Sequence, residues 1–375
     1  MAFTARPPQL PDFPWDQLAP YGEVARRHPG GIIDLSVGTP VDPVPSLVQT
    51  ALAAAADAPG YPTTVGLVEL RAAFINWLWR NHLVSGLTPD AVLPTIGSKE
   101  FVAWLPTFLG LGPRDVIAIP SIAYPTYDVG GRMVGATMVP ADGVAELEAA
   151  RVSAESAGRS LSMVWLNSPS NPTGRVTSLE QLREIVMWGR AHDVLIVNDE
   201  CYIDLGWDAQ PVSILRPEVC EGDFTGVLAI HSLSKRSNLA GYRSGFVAGD
   251  PRVLAAILEM RKHSGLLSPT PIQRAAIAAL SDDEHVAVQK ARYAKRRALA
   301  KSALAGSGFE IDLSEAGLYL WATRREDAWQ TVAWLADRGV LVAPGRFYGA
   351  AGAQHVRVAL TASDASFEQL AGRLR

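Results

Sequence analysis

From residue 66 to residue 250 the chain alternates stretches of helical periodicity with short apolar runs bounded by turn residues: VIAIP (116–120), LSMVWL (161–166), VLIVN (194–198), GVLAIHS (226–232) and GFVAG (245–249). Runs this short and continuous lack the alternation of a strand with one wet face. They read as strands covered on both sides, hence a mostly parallel sheet between two helical layers. In open sheets of this kind ligands bind beyond the carboxyl ends of the strands. The polar residues that follow each run are therefore where chemistry is to be sought.

After residue 250 the rhythm changes. Long helical segments (VLAAILEMRKH, PIQRAAIAALS, EHVAVQKARYAKRRALAKSALAGSG) lead to LYLWAT, VLVAP and HVRVAL with helices between them, which predicts a second, smaller α+β domain. The proline-rich opening (Pro7, Pro8, Pro11, Pro14) predicts an extended arm, followed by a helix over WDQLAPYGEVARRH that stops before Pro29-Gly30. The expected division is 1–45 for the arm and part of the small domain, 46–262 for the large domain, and 263–375 for the rest of the small domain. A chain of 375 residues, 48% hydrophobic, has ample apolar content for two cores.

The formal net charge of -4 gives no basic field to draw the chain to nucleic acid or anionic lipid, so neither is an expected partner. Cys201 and Cys220 form no CxxC, and the seven histidines have no metal-ligand spacing, so neither a disulfide framework nor a metal site is expected. No run approaches ~18 apolar residues, and the N-terminus lacks the basic start and apolar core of a secretory leader. The expected setting is reducing and cytoplasmic, with small molecules as substrates.

Four features fall at strand ends. LNSPSNPTG turns through Asn171-Pro172-Thr173-Gly174; NDECY supplies Asp199 and Tyr202; HSLSK ends in Ser232, Ser234 and Lys235; and Arg243 stands between Gly241 and Gly245. Singly each has an ordinary explanation: a turn, a helix cap, a core phenol, a solvated amine. Together they place an acid, a phenol, an amine and a guanidinium around one crevice. A lysine becomes a covalent catalyst by forming a Schiff base, and the carbonyl that best stabilises a carbanion is that of pyridoxal phosphate. That cofactor needs an anion at its ring nitrogen, donors at its phenolic oxygen, and a cation with small donors at its phosphate. Asp199 suits the first, Tyr202 and Asn171 the second, Arg243 with Ser232 the third.

The set NPTG, then D-x-x-Y with Asp199 28 residues after Asn171, then S-x-S-K with Lys235 36 residues further, then G-x-R-x-G with Arg243 eight residues on, resembles the class I/II aminotransferases of fold type I. The resemblance covers nearly the whole chain; Ser244 stands where the family usually has an aliphatic residue or alanine. It implies a seven-stranded-type sheet in the large domain, pyridoxal 5'-phosphate as cofactor, amino-acid and keto-acid substrates, and a homodimer with shared active sites. Gly97, Ser98 and Lys99 in TIGSKEF match the family's phosphate loop, as a helix N-terminus would independently favour. Tyr124 matches the aromatic that stacks on the cofactor ring, and Tyr61 the tyrosine sent from the partner subunit to the phosphate. Gly38, in LSVGTP, matches the substrate-facing loop, and Arg357, in HVRVAL, the arginine that grips the substrate α-carboxylate.

Within that family GSKEF, PSIAYPTY, WLNSPSNPTG and NDECYIDLGWD look most like the N-succinyldiaminopimelate aminotransferases of lysine and diaminopimelate biosynthesis, which take the amino group from glutamate. Such an acceptor calls for cations at its distal carboxylates, and Lys99, Arg26 and Arg27 are the expected suppliers. Aspartate, alanine or aromatic aminotransferases and C-S β-lyases share the scaffold and are the alternatives. A non-catalytic cofactor-binding sensor is a further one, disfavoured because only about 30 residues precede the first family motif.

Overall fold

The structure, a computed structural model, describes residues 10–375; the start of the arm, with Pro7 and Pro8, lies outside the described residues. In chain order the strands are β1 (Ile33–Asp34), β2 (Val92–Thr95), β3 (Asp115–Ile119), β4 (Thr137–Pro140), β5 (Ser160–Asn167), β6 (Leu195–Asp199), β7 (Val227–Ser232), β8 (Gly245–Gly249), β9 (Glu310–Asp312), β10 (Tyr319–Thr323), β11 (Val340–Leu341), β12 (Ala343–Pro344) and β13 (His355–Ala359). Seven of them form one sheet in the order β2-β8-β7-β6-β5-β3-β4. It is parallel from β7 through β4, and β8 runs antiparallel to both of its neighbours.

The apolar runs divide residue by residue between two buried clusters. Val116, Ala118, Ile196, Val227, Ala229, Phe246 and Ala248 face one helical layer, which contains Val68–His82, Leu179–Ala191 and Thr270–Ser281. Their neighbours Ile117, Val197, Leu228, Ile230 and Val247 face the other, which contains Ser98–Phe108 and Pro251–Ser264. The period of two puts successive side chains on opposite faces, and because both faces are dry both must be apolar. Each buried Val, Leu or Ile contributes about 1.5–3 kcal/mol relative to exposure.

A second sheet, β12-β13-β10-β9, is antiparallel and packs with helices Glu284–Ala305, Ala328–Ala336 and Asp364–Leu374. Leu18, Ala25, Ile33 and Leu35 from the N-terminal end lie in the same cluster, and β1 pairs with β11 through Ile33↔Val340 and Asp34↔Leu341. Segments near both ends of the described chain thereby share one core.

The register decides where the strand-end residues go. Asn167 lies opposite Asp199, and Asp199 opposite Ile230, so the ends of β5, β6 and β7 share one edge. Since β8 is reversed, its first residue, Gly245, pairs with Ser232 at the end of β7, and Thr95 at the end of β2 pairs with Gly245. The segment before β8 and the segments after β2, β6 and β7 all emerge at the same place. One antiparallel strand thus brings Arg243 to the edge that carries Gly97, Asp199 and Lys235.

Candidate active site

At this edge a cleft of about 1030 Å³ is lined by Gly38, Ser98, Lys99, Tyr124, Asn171, Asp199, Tyr202, Ser232, Ser234, Lys235, Arg243 and Arg357, all singled out from the sequence. Gly97 stands directly behind the wall, against Arg243. Tyr61 is not in the lining and is 98% exposed. Lys99 reaches the cleft, whereas Arg26 and Arg27 do not line it; Arg26 pairs instead with Glu23 one helical turn back. That corrects the expectation that these two arginines serve the far end of a substrate. The helix that carries Arg26 packs on Ala328–Ala336.

Asp199 ends β6 and is buried. Its Oδ2 accepts from the Tyr127 hydroxyl at 2.8 Å and its Oδ1 from the Cys201 backbone N–H at 3.1 Å. Burial raises its pKa, and the hydrogen bonds from Cys201 and Tyr127 oppose that rise. None of its hydrogen-bond partners is cationic, which leaves a carboxylate arranged to receive a cation from the cleft.

β7 passes directly into the short helix Leu233–Arg236, capped by Ser232, whose Oγ accepts from Ser234 N–H at 3.2 Å. This turn sends Lys235 into the cleft, where its amine donates to the Gly38 carbonyl. Burial depresses the Lys235 pKa; Tyr319 and Cys201 oppose the shift, while the positive charges of Arg357 and Arg243 add to it. A lysine biased toward the neutral amine is a nucleophile and a proton acceptor.

Helix Ser98–Phe108 points its N-terminus at the cleft. Gly97 precedes it with φ 72° and ψ 156°, a backbone region open essentially to glycine. A Cβ there would lie 2.4 Å from Arg243 Nη2. Arg243 itself holds the left-handed φ of 54°, and its Nη1 donates to the Ala240 carbonyl at 2.9 Å. Backbone amides, a helix terminus and a guanidinium converging in this way form an anion cradle.

On the opposite wall Arg357 is buried in β13. Nη1 donates to Asn171 Oδ1 at 2.9 Å and Nη2 to the Ser36 carbonyl at 2.6 Å, while Nε has no acceptor among the described residues. The guanidinium carbon lies 4.1 Å from the Tyr319 ring centroid and 5.1 Å from that of Tyr348. Asn171 is fixed by its own N–H, which donates to Asn167 Oδ1 at 2.7 Å. The loop that carries it is tied down by Ser314 N–H to the Thr173 carbonyl and Ala316 N–H to the Gly174 carbonyl, each at 2.9 Å.

The sequence profile described as "Aminotransferase class I and II" matches residues 30–374. The chain belongs to the class I and II aminotransferases. It is 55% identical over 365 residues to a probable aminotransferase of Mycobacterium tuberculosis, covering 97% of this chain and 85% of that protein. It is 52% identical over 366 residues to the 4-dedimethylamino-4-oxo-anhydrotetracycline transaminase OxyQ of Streptomyces rimosus, covering 98% and 99%. Among solved structures it matches a probable N-succinyldiaminopimelate aminotransferase from Thermus thermophilus with a TM-score of 0.85 and 28% identity, covering 96% of this chain and 99% of that one.

Class I and II aminotransferases work through pyridoxal phosphate, and the residues present fit that group. Asp199 is a buried carboxylate without a cationic partner among the described residues, Gly97 leaves open the space a side chain would fill beside Arg243, and Lys235, its pKa lowered by burial, lines the same cleft. Two side chains in this aminotransferase site escaped the sequence reading. Tyr127, stacked on Trp165 at 4.8 Å, holds Asp199 from behind; it lies one helical turn past Tyr124. Tyr319 shares a hydrogen bond of 3.0 Å with Tyr202 and sits under Arg357. Pairing LYLWAT with HVRVAL would have exposed it, since Trp321 lies opposite Arg357 and Tyr319 falls on the diagonal.

Proposed function

We propose that this aminotransferase moves an amino group between glutamate/2-oxoglutarate and a carbonyl acceptor, with Lys235 as the covalent and proton-carrying residue. Bound pyridoxal phosphate supplies a carbonyl for the amino group and an electron sink for the carbanion left by α-proton loss. Asp199 would keep the ring nitrogen protonated, and Tyr202 and Asn171 would donate to the phenolic oxygen. Gly97, Ser98, Ser232 and Arg243 hold the phosphate, and Tyr124 covers the ring. Arg357, with Asn171 against it, takes the donor α-carboxylate in a two-point grip and so orients the α-proton toward Lys235. The Lys235 amine is the base that would take and return that proton. The observation that carries this reading is the buried Arg357, its fork braced and its Nε free, in one cleft with a depressed lysine.

The acceptor is the finer question. A succinyl-diaminopimelate acceptor has the Thermus likeness in its favour and needs cations for distal carboxylates. Of the basic residues described in the lining, Arg357 and Arg243 are engaged and Lys235 is taken by the chemistry, leaving Lys99, with Asp12 of opposite sign also in the wall. The lining also includes Leu10, Pro11, Phe13, Pro14, Trp15 and Val37. Such a surface favours an acceptor with a bulky apolar or ring-bearing body, and the 52% identity to a transaminase named for an anhydrotetracycline supports that choice.

The division at residues 45 and 262, a homodimer and a cytoplasmic setting belong to the same proposal. The near-complete exposure of Tyr61 supports its service to a second copy's phosphate site.

In the test, the purified protein loaded with pyridoxal phosphate receives glutamate and a panel of acceptors, both polycarboxylate and polycyclic. Formation of 2-oxoglutarate is measured alongside pyruvate and ammonia release from cystathionine. Dominant pyruvate release, or a Lys235→Ala variant that keeps both its visible absorbance and its turnover, would sink the reading.

A further inference from the structure

Tyr202 and Tyr319 face each other in the cleft with their oxygens 3.0 Å apart and their rings edge to face at 5.6 Å and 72°. Both are buried. Packing alone accounts for the Tyr319 ring, which lies under Arg357 at 4.1 Å and would do so equally as phenylalanine. The hydroxyl is different: it occupies space that exists only because residue 38 is glycine, where a Cβ would lie 2.1 Å from it. The chain thus reserves a place at its substrate-facing loop for one oxygen atom, and the hydrogen-bond partner of that atom is the phenol of Tyr202.

We infer that Tyr319 is a positioning residue: its hydroxyl donates to Tyr202, which commits the single Tyr202 proton to the cofactor's phenolic oxygen. A phenol has one proton to give. If Tyr202 donates into the cleft it must accept from elsewhere, and Tyr319 is the donor within reach. A hydroxyl that accepts one hydrogen bond becomes a stronger donor in the next, so the pair acts as one reinforced donor. The inference rests on the proposed function.

A measurable consequence follows at the nitrogen that links Lys235 to the cofactor. A donor to the phenolic oxygen stabilises the form in which that oxygen is negative and the nitrogen carries no proton. Weakening the donor therefore moves the protonation midpoint of the linkage upward. The ionisable groups around Lys235 and Tyr202 are Asp199, Cys201, Arg243, Arg357 and Tyr319 itself; Tyr319 opposes the depression of Lys235, so a direct effect of losing its hydroxyl would lower the midpoint, opposite in sign to the rise expected through Tyr202.

The experiment titrates the visible absorbance of the pyridoxal-phosphate holoenzyme against pH for wild type, Tyr319→Phe, Tyr202→Phe and the double variant, with a thermal melt of each. Tyr319→Phe is expected to keep the ring packing and raise the midpoint by about 0.5–1 unit, the equivalent of one hydrogen bond. Tyr202→Phe raises it further, and the double variant matches Tyr202→Phe because Tyr319 acts through Tyr202. An unmoved midpoint in Tyr319→Phe, or a full additional rise in the double variant, overturns the inference while leaving the transaminase reading intact. A wild type with no cofactor band would bring down both.

Discussion

Replacing Gly97 by alanine separates two costs that meet at the anion cradle. The backbone at φ 72° and ψ 156° is glycine territory, so alanine strains the turn by about 1–3 kcal/mol whatever its surroundings. The new methyl would also lie 2.4 Å from Arg243 Nη2, the far end of a flexible side chain. Arg243 gives way at little cost to the fold, since among the described residues its side chain makes one hydrogen bond, to the Ala240 carbonyl at 2.9 Å. It gives way, however, from the place proposed for its contact with the phosphate. Losing one charge-assisted contact is worth about 1.5–3 kcal/mol, a cofactor affinity weakened about 10- to 150-fold. Equilibrium dialysis of pyridoxal phosphate against the apoenzyme, paired with an apoenzyme melt, reads the two costs separately. The expected result is a modest drop in melting temperature and a large loss of affinity, with Arg243→Lys reproducing the second and not the first. Wild-type affinity in Gly97→Ala would refute the assignment of Arg243 to the phosphate.

Two further perturbations address other parts of the site. Arg357→Gln should raise the KM for glutamate about 10- to 100-fold through loss of the two-point carboxylate grip, while an amine donor without a carboxylate is affected far less; equal losses for both donors would contradict that role. Behind the sheet, Glu200 Oε2 and His231 Nε2 lie 3.5 Å apart without hydrogen-bond partners among the described residues, and burial raises Glu200 to about 8 and lowers His231 to about 3. Folding therefore favours protonated Glu200, whose contribution is full below its ordinary 4.5 and is lost as pH rises toward 8; that of neutral His231 is lost as pH falls below 6.5. Glu200→Gln should gain melting temperature over wild type progressively from pH 5 to pH 8, and a constant offset across that range would count against a protonated Glu200.

Asp199, Lys235 and Arg243 were legible in the sequence because strand ends are marked by abrupt changes from apolar to polar, and the sheet gathers those ends without regard to side-chain detail. Asn171 was legible for the same reason, as the turn of NPTG. Tyr127 and Tyr319 were not, because their roles come from contacts between elements: one rises from a helix to the back of Asp199, the other crosses between sheets to Tyr202. The edge strands β2 and β4 were also faint. β2 contains Pro94 and β4 ends in Pro140, and at a sheet edge one side of the backbone needs no partner. Arg26 and Arg27 were misjudged because a charge on an amphipathic helix has no sequence mark for which way it faces.

The reversed strand β8 makes the loop from Leu233 to Ser244 a caliper. Its two jaws are clamped, since Ser232 and Gly245 are register partners, so the contour between them sets how far the Lys235 amine stands from the Arg243 guanidinium. Under the roles proposed for Lys235 and Arg243, that gap has to match the distance from aldehyde to phosphate across a rigid aromatic ring. Inserting or deleting a residue elsewhere at this edge would resize the chamber for the acceptor. Inside the caliper, the same change would misfit the ring itself, and natural or laboratory variation in substrate range is accordingly expected to leave these twelve residues at constant length while the wall from Leu10 to Trp15 drifts.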